Sequence, residues 1–390
     1  MALDTTKTLT GVTYNGVAFP LDDGKDMLQA RVDAINSCAY LFYNYGGTEL
    51  DITRLDTSNV TTMNGMFYGC TKLIELDISS FDTSNVTNMG AMFYDCSALP
   101  TLDVSNFDTS NVTTMRSMFS NCNKVTTLDV SNFNTSKVTD MGYIFHQCNK
   151  LTSLDLSNFN TSNVTNMDYM FYYCNWLTSL NMGNNFNTSN VTNMNSMFNR
   201  CIGITTLNLS NFNTSNVTNM GFMFASCQRL TALDLSNFDT SKVTNIQSMF
   251  AGCDVLTTVQ GTLDLYSTTN PGNMFNYTYA LTGVTLKNIR RSLQIGSGTE
   301  YGHLWELPYL INAVKECWDL SASTQQTLTI GSANVEKIAN VYVRLITPTA
   351  EQIEADPYIN NKLPCEVCES TDEGAMTLTA YAGLKNWVLA

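Results

Sequence analysis

LTSLDLSNFNTSNVTNMDYMFYYCNW, residues 151–176, decides the fold of this chain. Its first half alternates, with Leu154 and Leu156 on one side and Asp155 and Ser157 on the other, the pattern of a short strand with one buried face. Its second half changes period. Met167, Met170, Phe171 and Cys174 stand at offsets 0, 3, 4 and 7, which predicts one apolar stripe on a short helix, with Thr165 as its N-cap.

The unit recurs about every 26 residues. Cys70, Cys96, Cys122, Cys148, Cys174, Cys201, Cys227 and Cys253 mark eight successive copies. Phe67, Phe93, Phe119, Phe145, Phe171, Phe198, Phe224 and Phe250 precede them, and Phe81, Phe107, Phe133, Phe159, Phe186, Phe212 and Phe238 recur mid-unit. A strand and a two-turn helix cannot bury their apolar faces alone, so the copies must stack. The expected fold class is an α/β solenoid, a leucine-rich-repeat-like stack of short parallel strands and short helices with terminal caps. The cysteine ladder is expected to be buried thiols, because stacked parallel side chains seldom meet disulfide geometry. At Leu180–Phe186 the sequence LNMGNNF carries one residue more than the preceding copy, an insertion that a local bulge beside Gly183 absorbs.

The ends differ from the middle. Residues 1–45 read as an attachment element and cap, with GVTYNGVAFPL as strands around an Asn15-Gly16 turn and MLQARVDAINSCAYLF as a helix using Leu28, Val32 and Ile35. Residues 46–260 are the solenoid. Residues 261–390 are degenerate repeats and a C-terminal cap or small domain, in which ELPYLINAVKECWDL predicts a helix, QTLTIGSANVEKI a strand and a helix, and Ile353 to Glu373 a loop.

With 20 lysines and arginines against 34 aspartates and glutamates, the chain carries a formal charge of −14. That balance opposes nucleic acid and anionic membrane surfaces as partners. No apolar run is long enough for a membrane span, and MALDTTKTLT lacks the form of a cleaved leader, so a soluble protein without membrane insertion is expected.

The candidate ligand-facing residues form a ladder on the exposed strand face: Asp51, Asp77, Asp103, Asp129, Asp155, Asn181, Asn208 and Asp234. Rungs about 4.8 Å apart make this an acidic stripe, read either as a solvated surface, as a ligand-binding line, or as a place for calcium between carboxylates. A second ladder, Asp82, Asp108, Asn134, Asn160, Asn187, Asn213 and Asp239, suits turns held by short polar side chains. Asn85, Asn111, Asn163, Asn190 and Asn216 open Asn-Val-Thr triplets, better explained as a backbone-binding ladder than as crowded glycosylation sites. Cys365 and Cys368 form a lone CEVC, weak evidence for metal or redox chemistry. His146 reads as a helix-surface residue, and His303 lies in no metal-binding pattern. Repeated carboxylates lack the differentiated surroundings that make one an acid and another a base, so no enzyme, no catalytic residue, no metal and no cofactor is expected.

The units LDLSNFNTSNVTNMDYMFYYC and LDLSNFDTSKVTNIQSMFAGC resemble the BspA-like leucine-rich repeats of bacterial surface proteins, over roughly residues 50 to 260. Ile144 and Ile246 stand where that pattern has methionine, and Lys137 and Lys242 where it has asparagine. The resemblance implies adhesion to host or bacterial surfaces. Similar repeats occur in virion proteins of gut phages, and GVTYNGVAFPL, LTIGSANVEKI and KNWVLA are similar to end segments of those proteins. The expectation drawn from this resemblance is a phage structural protein, a fibre, decoration or receptor-binding component located in the virion. Its partners would be other virion proteins through the N-terminal segment, a bacterial-surface glycan or protein, and further copies of itself. The alternatives are a bacterial cell-surface or secreted adhesin and an intracellular interaction scaffold.

Overall fold

The strand predicted in the quoted unit forms at Ser153–Asp155 and pairs in parallel with Ser179–Asn181 of the next copy, Leu154 opposite Leu180. The computed structural model describes residues 12–14, 17–19, 35–53, 55–295, 305–318, 326–330, 332–362, 364–385 and 387–389. The chain divides into two compact units, Met1–Ile204 and Thr205–Ala390. Each carries an open solenoid of stacked repeats, leucine-rich-repeat-like in its short parallel strands.

In the first unit, β1 (Val12–Tyr14) and β2 (Val17–Phe19) form an antiparallel hairpin, and the residues of its turn lie outside the described chain. The parallel stack holds β3 (Glu49–Leu50) with β4 (Glu75–Leu76) and β5 (Ser153–Asp155) with β6 (Ser179–Asn181). A second parallel line of single bridges links Ser37, Thr62, Asn88, Thr114, Asp140, Asn166 and Asn193 in succession.

The segment after Thr165 corrects the expected helix: residues 168–173 are a run of tight turns. The amides of Met167, Tyr169, Phe171 and Tyr173 donate to the carbonyls of Asn193, Asn195, Met197 and Asn199 in the next copy, at 2.8–3.0 Å. Those of Met170, Tyr172 and Cys174 turn back to the carbonyl three residues earlier, at 3.1–3.4 Å. Tyr169 and Tyr173 take the left-handed backbone, φ 54° and 62°, and the same spacing of four recurs in other copies. An α-helix satisfies its amides along its own axis; this winding sends every second one to a neighbour, so stacking and backbone satisfaction are one event. Cys38, expected on a helix, likewise lies in the ladder and donates its amide to the Thr62 carbonyl. Ile35 is exposed, and Leu28 and Val32 lie outside the described residues.

The core is a set of ladders. Phe42, Phe67, Phe93, Phe119, Phe145, Phe171 and Phe198 stack at 5.5–5.9 Å between ring centres, all nearly parallel. All twelve cysteines are thiols, and Cys174, like the other ladder members with printed contacts, donates its S–H to the carbonyl of a phenylalanine, here Phe145 at 3.1 Å. The extra residue near Gly183 leaves the ladders in register. The Gly183 amide is held by Asn181 Oδ1, and a Cβ there would lie 2.5 Å from the Ser157 Cα, so only glycine fits.

In the second unit, β7 (Ala232–Asp234) pairs with β8 (Thr258–Gln260) and β9 (Thr262–Asp264) with β10 (Thr285–Lys287), all parallel. The Phe224, Phe250 and Phe275 rings stack, and Trp305 closes that ladder edge-on at 5.2 Å. Helix α1 (Leu307–Glu316) lies against β10, where Asn312 and Glu316 side chains accept the Leu286 and Asn288 amides. Beyond it, β11 (Leu293–Gln294), β12 (Gln326–Thr329) and β16 (Trp387–Leu389) form a parallel sheet, and β13 (Tyr342–Leu345), β14 (Cys365–Cys368) and β15 (Met376–Thr377) an antiparallel one. Helices α2 (Ser332–Ile338), α3 (Ala350–Ala355) and α4 (Leu378–Leu384) complete the unit. The loop expected over Ile353–Glu373 therefore contains the end of α3, a 3-10 turn and β14.

Candidate functional site: the side face of the repeats

The expected strand-end ladder is present in both units, and each member closes a turn. Oδ1 of Asp77, Asp103, Asp129, Asp155 and Asp234 accepts the amide of the serine two residues on, at 2.8–3.0 Å. Asp51, Asn181 and Asn208 do the same to Thr53, Gly183 and Ser210. The Ser157 hydroxyl and amide hold the Asp155 carboxyl below its usual range, and serine does the same for Asp77 and Asp103. These carboxylates are thus ionised and partly spent on backbone geometry.

The second ladder holds turns as expected: Asp108, Asn134 and Asn160 accept from the amides of Ser110, Ser136 and Ser162. The Asn-Val-Thr asparagines bind backbone too, Asn85, Asn111, Asn163 and Asn190 each donating to a serine carbonyl of the preceding copy at 2.7–2.8 Å. Lys137 takes an asparagine position and reaches Asn111 Oδ1 instead.

Cys365 and Cys368 lie three residues apart on β14, so they face opposite sides of the sheet, too far apart to pair or to grip one ion. Among the described residues no three His, Cys, Asp or Glu side chains converge as a metal site. His146 corrects its expected surface role. It is half-buried, with Nδ1 3.0 Å from Ser120 Oγ and its ring stacked on Tyr172 at 5.2 Å, and burial lowers its pKa to about 4. His303 lies outside the described residues.

Sequence reasoning passed over the residue that follows each core phenylalanine. In the first unit this position holds Tyr43, Tyr68, Tyr94, Ser120, His146, Tyr172 and Asn199. Tyr43 stacks on Tyr68 at 5.3 Å, Tyr68 on Tyr94 at 4.4 Å, and a flanking pair, Tyr143 and Tyr169, at 4.6 Å. Arg116 lies over Tyr143 at 4.8 Å while pairing with Asp168 at 3.1 Å and Asp140 at 3.3 Å; Arg200 covers Tyr173 at 4.7 Å. Burial raises the Tyr143 hydroxyl to about 12. In the second unit the same position holds Ala225, Ala251 and Asn276. The winding accepts alanine there, so the aromatic column of the first unit is not a demand of the fold. Tyr143, Tyr169 and Tyr173 also keep positive φ, where Gly65, Gly69 and Gly252 serve in other copies. A bulky residue in that region costs on the order of 1 kcal/mol against glycine. The signal was available as a tyrosine excess at one register position, but a count of apolar periodicity hides it.

The profile of a family described as Mycoplasma protein of unknown function, DUF285, matches residues 36–127, 101–182 and 178–287. The chain belongs to the DUF285 family. No curated protein matches it in sequence. Among solved structures, this DUF285 chain is similar to a leucine-rich repeat protein from Bacteroides ovatus ATCC 8483, with 17% identity over 65% of this chain and 71% of that one and a TM-score of 0.35. It is also similar to the functional domain of InlJ from Listeria monocytogenes, which includes a cysteine ladder, with 15% identity over 78% and 71% of the two chains and a TM-score of 0.17. No helix among the described residues is long and apolar enough to cross a membrane.

Proposed function

We propose that this chain is a non-enzymatic recognition protein of the adhesin kind, which holds a rigid side face toward a partner on a cell surface. The observation that carries the reading is the column from Tyr43 to Tyr172, built at positions where the same winding accepts alanine. Rigid elements presenting tyrosine and arginine give large contact area at low entropy cost. The strand-end ladder from Asp51 to Asp155 is a secondary contact line of the same proposal. An intracellular scaffold would use the same face on a soluble protein. The virion reading, with residues 1–45 attached to other structural chains, rests on the resemblance of the end segments alone.

The test is retention of the labelled full chain on intact bacterial and epithelial cells, with the triple variant Tyr68→Ser, Tyr94→Ser, Tyr172→Ser alongside. Saturable retention by the wild type that the folded variant loses supports the proposal. Retention equal in both, or none, overturns it.

A further inference from the structure

We infer that the column from Tyr43 to Tyr172 binds an extended, neutral polysaccharide lying along the stack, about one sugar unit to a rung. The inference rests on the recognition reading and names its ligand class. Periodicity is the first argument. Like positions recur at a rung spacing of about 4.8 Å, whereas side chains on one face of an extended peptide recur at about 6.8 Å and fall out of step within a few rungs. The rise of an extended pyranose chain is close to one rung.

Chemistry is the second. The column is two aromatic stacks, Tyr68 between Tyr43 and Tyr94 and His146 on Tyr172, parted by the buried Ser120. What remains for a ligand is ring edges and hydroxyls, which both donate and accept, as sugar hydroxyls do. Four residues along the chain from Tyr172, Trp176 is 56% exposed, with Lys150 Nζ over one face at 4.0 Å. The equivalent position one copy on is Gly203, where a Cβ would lie 2.7 Å from the Leu177 carbonyl oxygen. Packing thus requires glycine, and no side chain at that position covers the indole, which leaves a platform for the C–H face of a pyranose. The third argument is charge. A chain at −14 repels polyanions, so the fitting glycan is neutral rather than sulfated or uronate-rich.

Calorimetry of the full chain with β-1,4-linked glucose and N-acetylglucosamine oligomers of two to six units, and with mannan, tests this. The expected result is affinity that rises with chain length. Tyr68→Ser, Tyr94→Ser, Tyr172→Ser should bind about tenfold more weakly or worse, from three lost hydrogen-bonding groups. Trp176→Ala should weaken binding while keeping its length dependence, and heparin fragments should give no heat. No binding of any neutral glycan, binding without length dependence, or equal binding by the triple variant overturns the inference. If cell retention still requires the tyrosines in that case, the recognition reading stands and only the glycan is excluded.

Discussion

The Thr109 hydroxyl donates to the Asn134 carbonyl at 3.1 Å and accepts from the Asn134 amide at 2.7 Å, so one side chain clips two successive copies together. The clip recurs at Thr57 with Asp82, Thr83 with Asp108, and, in the second unit, Thr214 with Asp239 and Thr240 with Asp264. Thr109 is buried, and replacing it with valine keeps the shape while stranding a buried donor and acceptor. Thr109→Val should therefore cost about 2–4 kcal/mol, read by denaturant unfolding, against a much smaller effect of Thr113→Val on the exposed face. Equal effects would contradict the clip.

His146 supplies a pH prediction. Its folded pKa of about 4 lies below the ordinary 6.5, so between those values the unfolded chain binds more protons. Stability from this group is present above pH 6.5 and falls as the pH drops toward 4. An NMR titration should find the His146 imidazole neutral at pH 5.5, and His146→Gln should flatten that part of the stability curve. A titration midpoint near 6.5 would refute the packing described for the Ser120 and Tyr172 contacts.

Eleven of the twelve cysteines are buried, and burial raises Cys174 and Cys253 to about 12. Thiolate is the reactive form, so a disulfide reagent added to the native chain at pH 8 should modify Cys368 and spare the repeat cysteines until denaturant is added. Rapid native modification of several repeat cysteines would show that the ladder opens.

In the second unit, Lys385 is fully buried and its Nζ donates to the carbonyls of Lys315 and Cys317 at the end of α1. Burial lowers its pKa to about 8 from an ordinary 10.5. The unfolded chain then binds more protons between those values, so stability should rise with pH from 8 to 10.5 and stay level below 8. Trp305, Trp318 and Trp387 all lie in this unit and report its unfolding by fluorescence. Lys385→Met should abolish the rise and lose about 1–3 kcal/mol at pH 7, because the carbonyls at the end of α1 lose their donor.

The strand and ladder logic was legible because Leu154, Phe159, Phe171 and Cys174 recur in phase. The winding was not, because offsets 0, 3, 4 and 7 are produced equally by a helix and by four-residue turns. Gly65 and Gly69, four apart at positive φ, were the sequence's sign of those turns, diluted where Tyr169 and Tyr173 take the same backbone. The threonine clips are not legible in one copy, since a hydroxyl's partner lies in the neighbouring one. The carboxylate ladder drew attention as a site by its charge. Its oxygens instead close turns, and the residues the fold leaves optional are aromatic.

The most direct test of the account is hydroxyl-radical footprinting of the full chain, alone and bound to cells. The account predicts strong protection of Tyr68, Tyr94 and Tyr172 on binding, with weaker protection of the half-buried Leu76 and Leu180 on the strands. Protection at the strand ends with those tyrosines unchanged would contradict it.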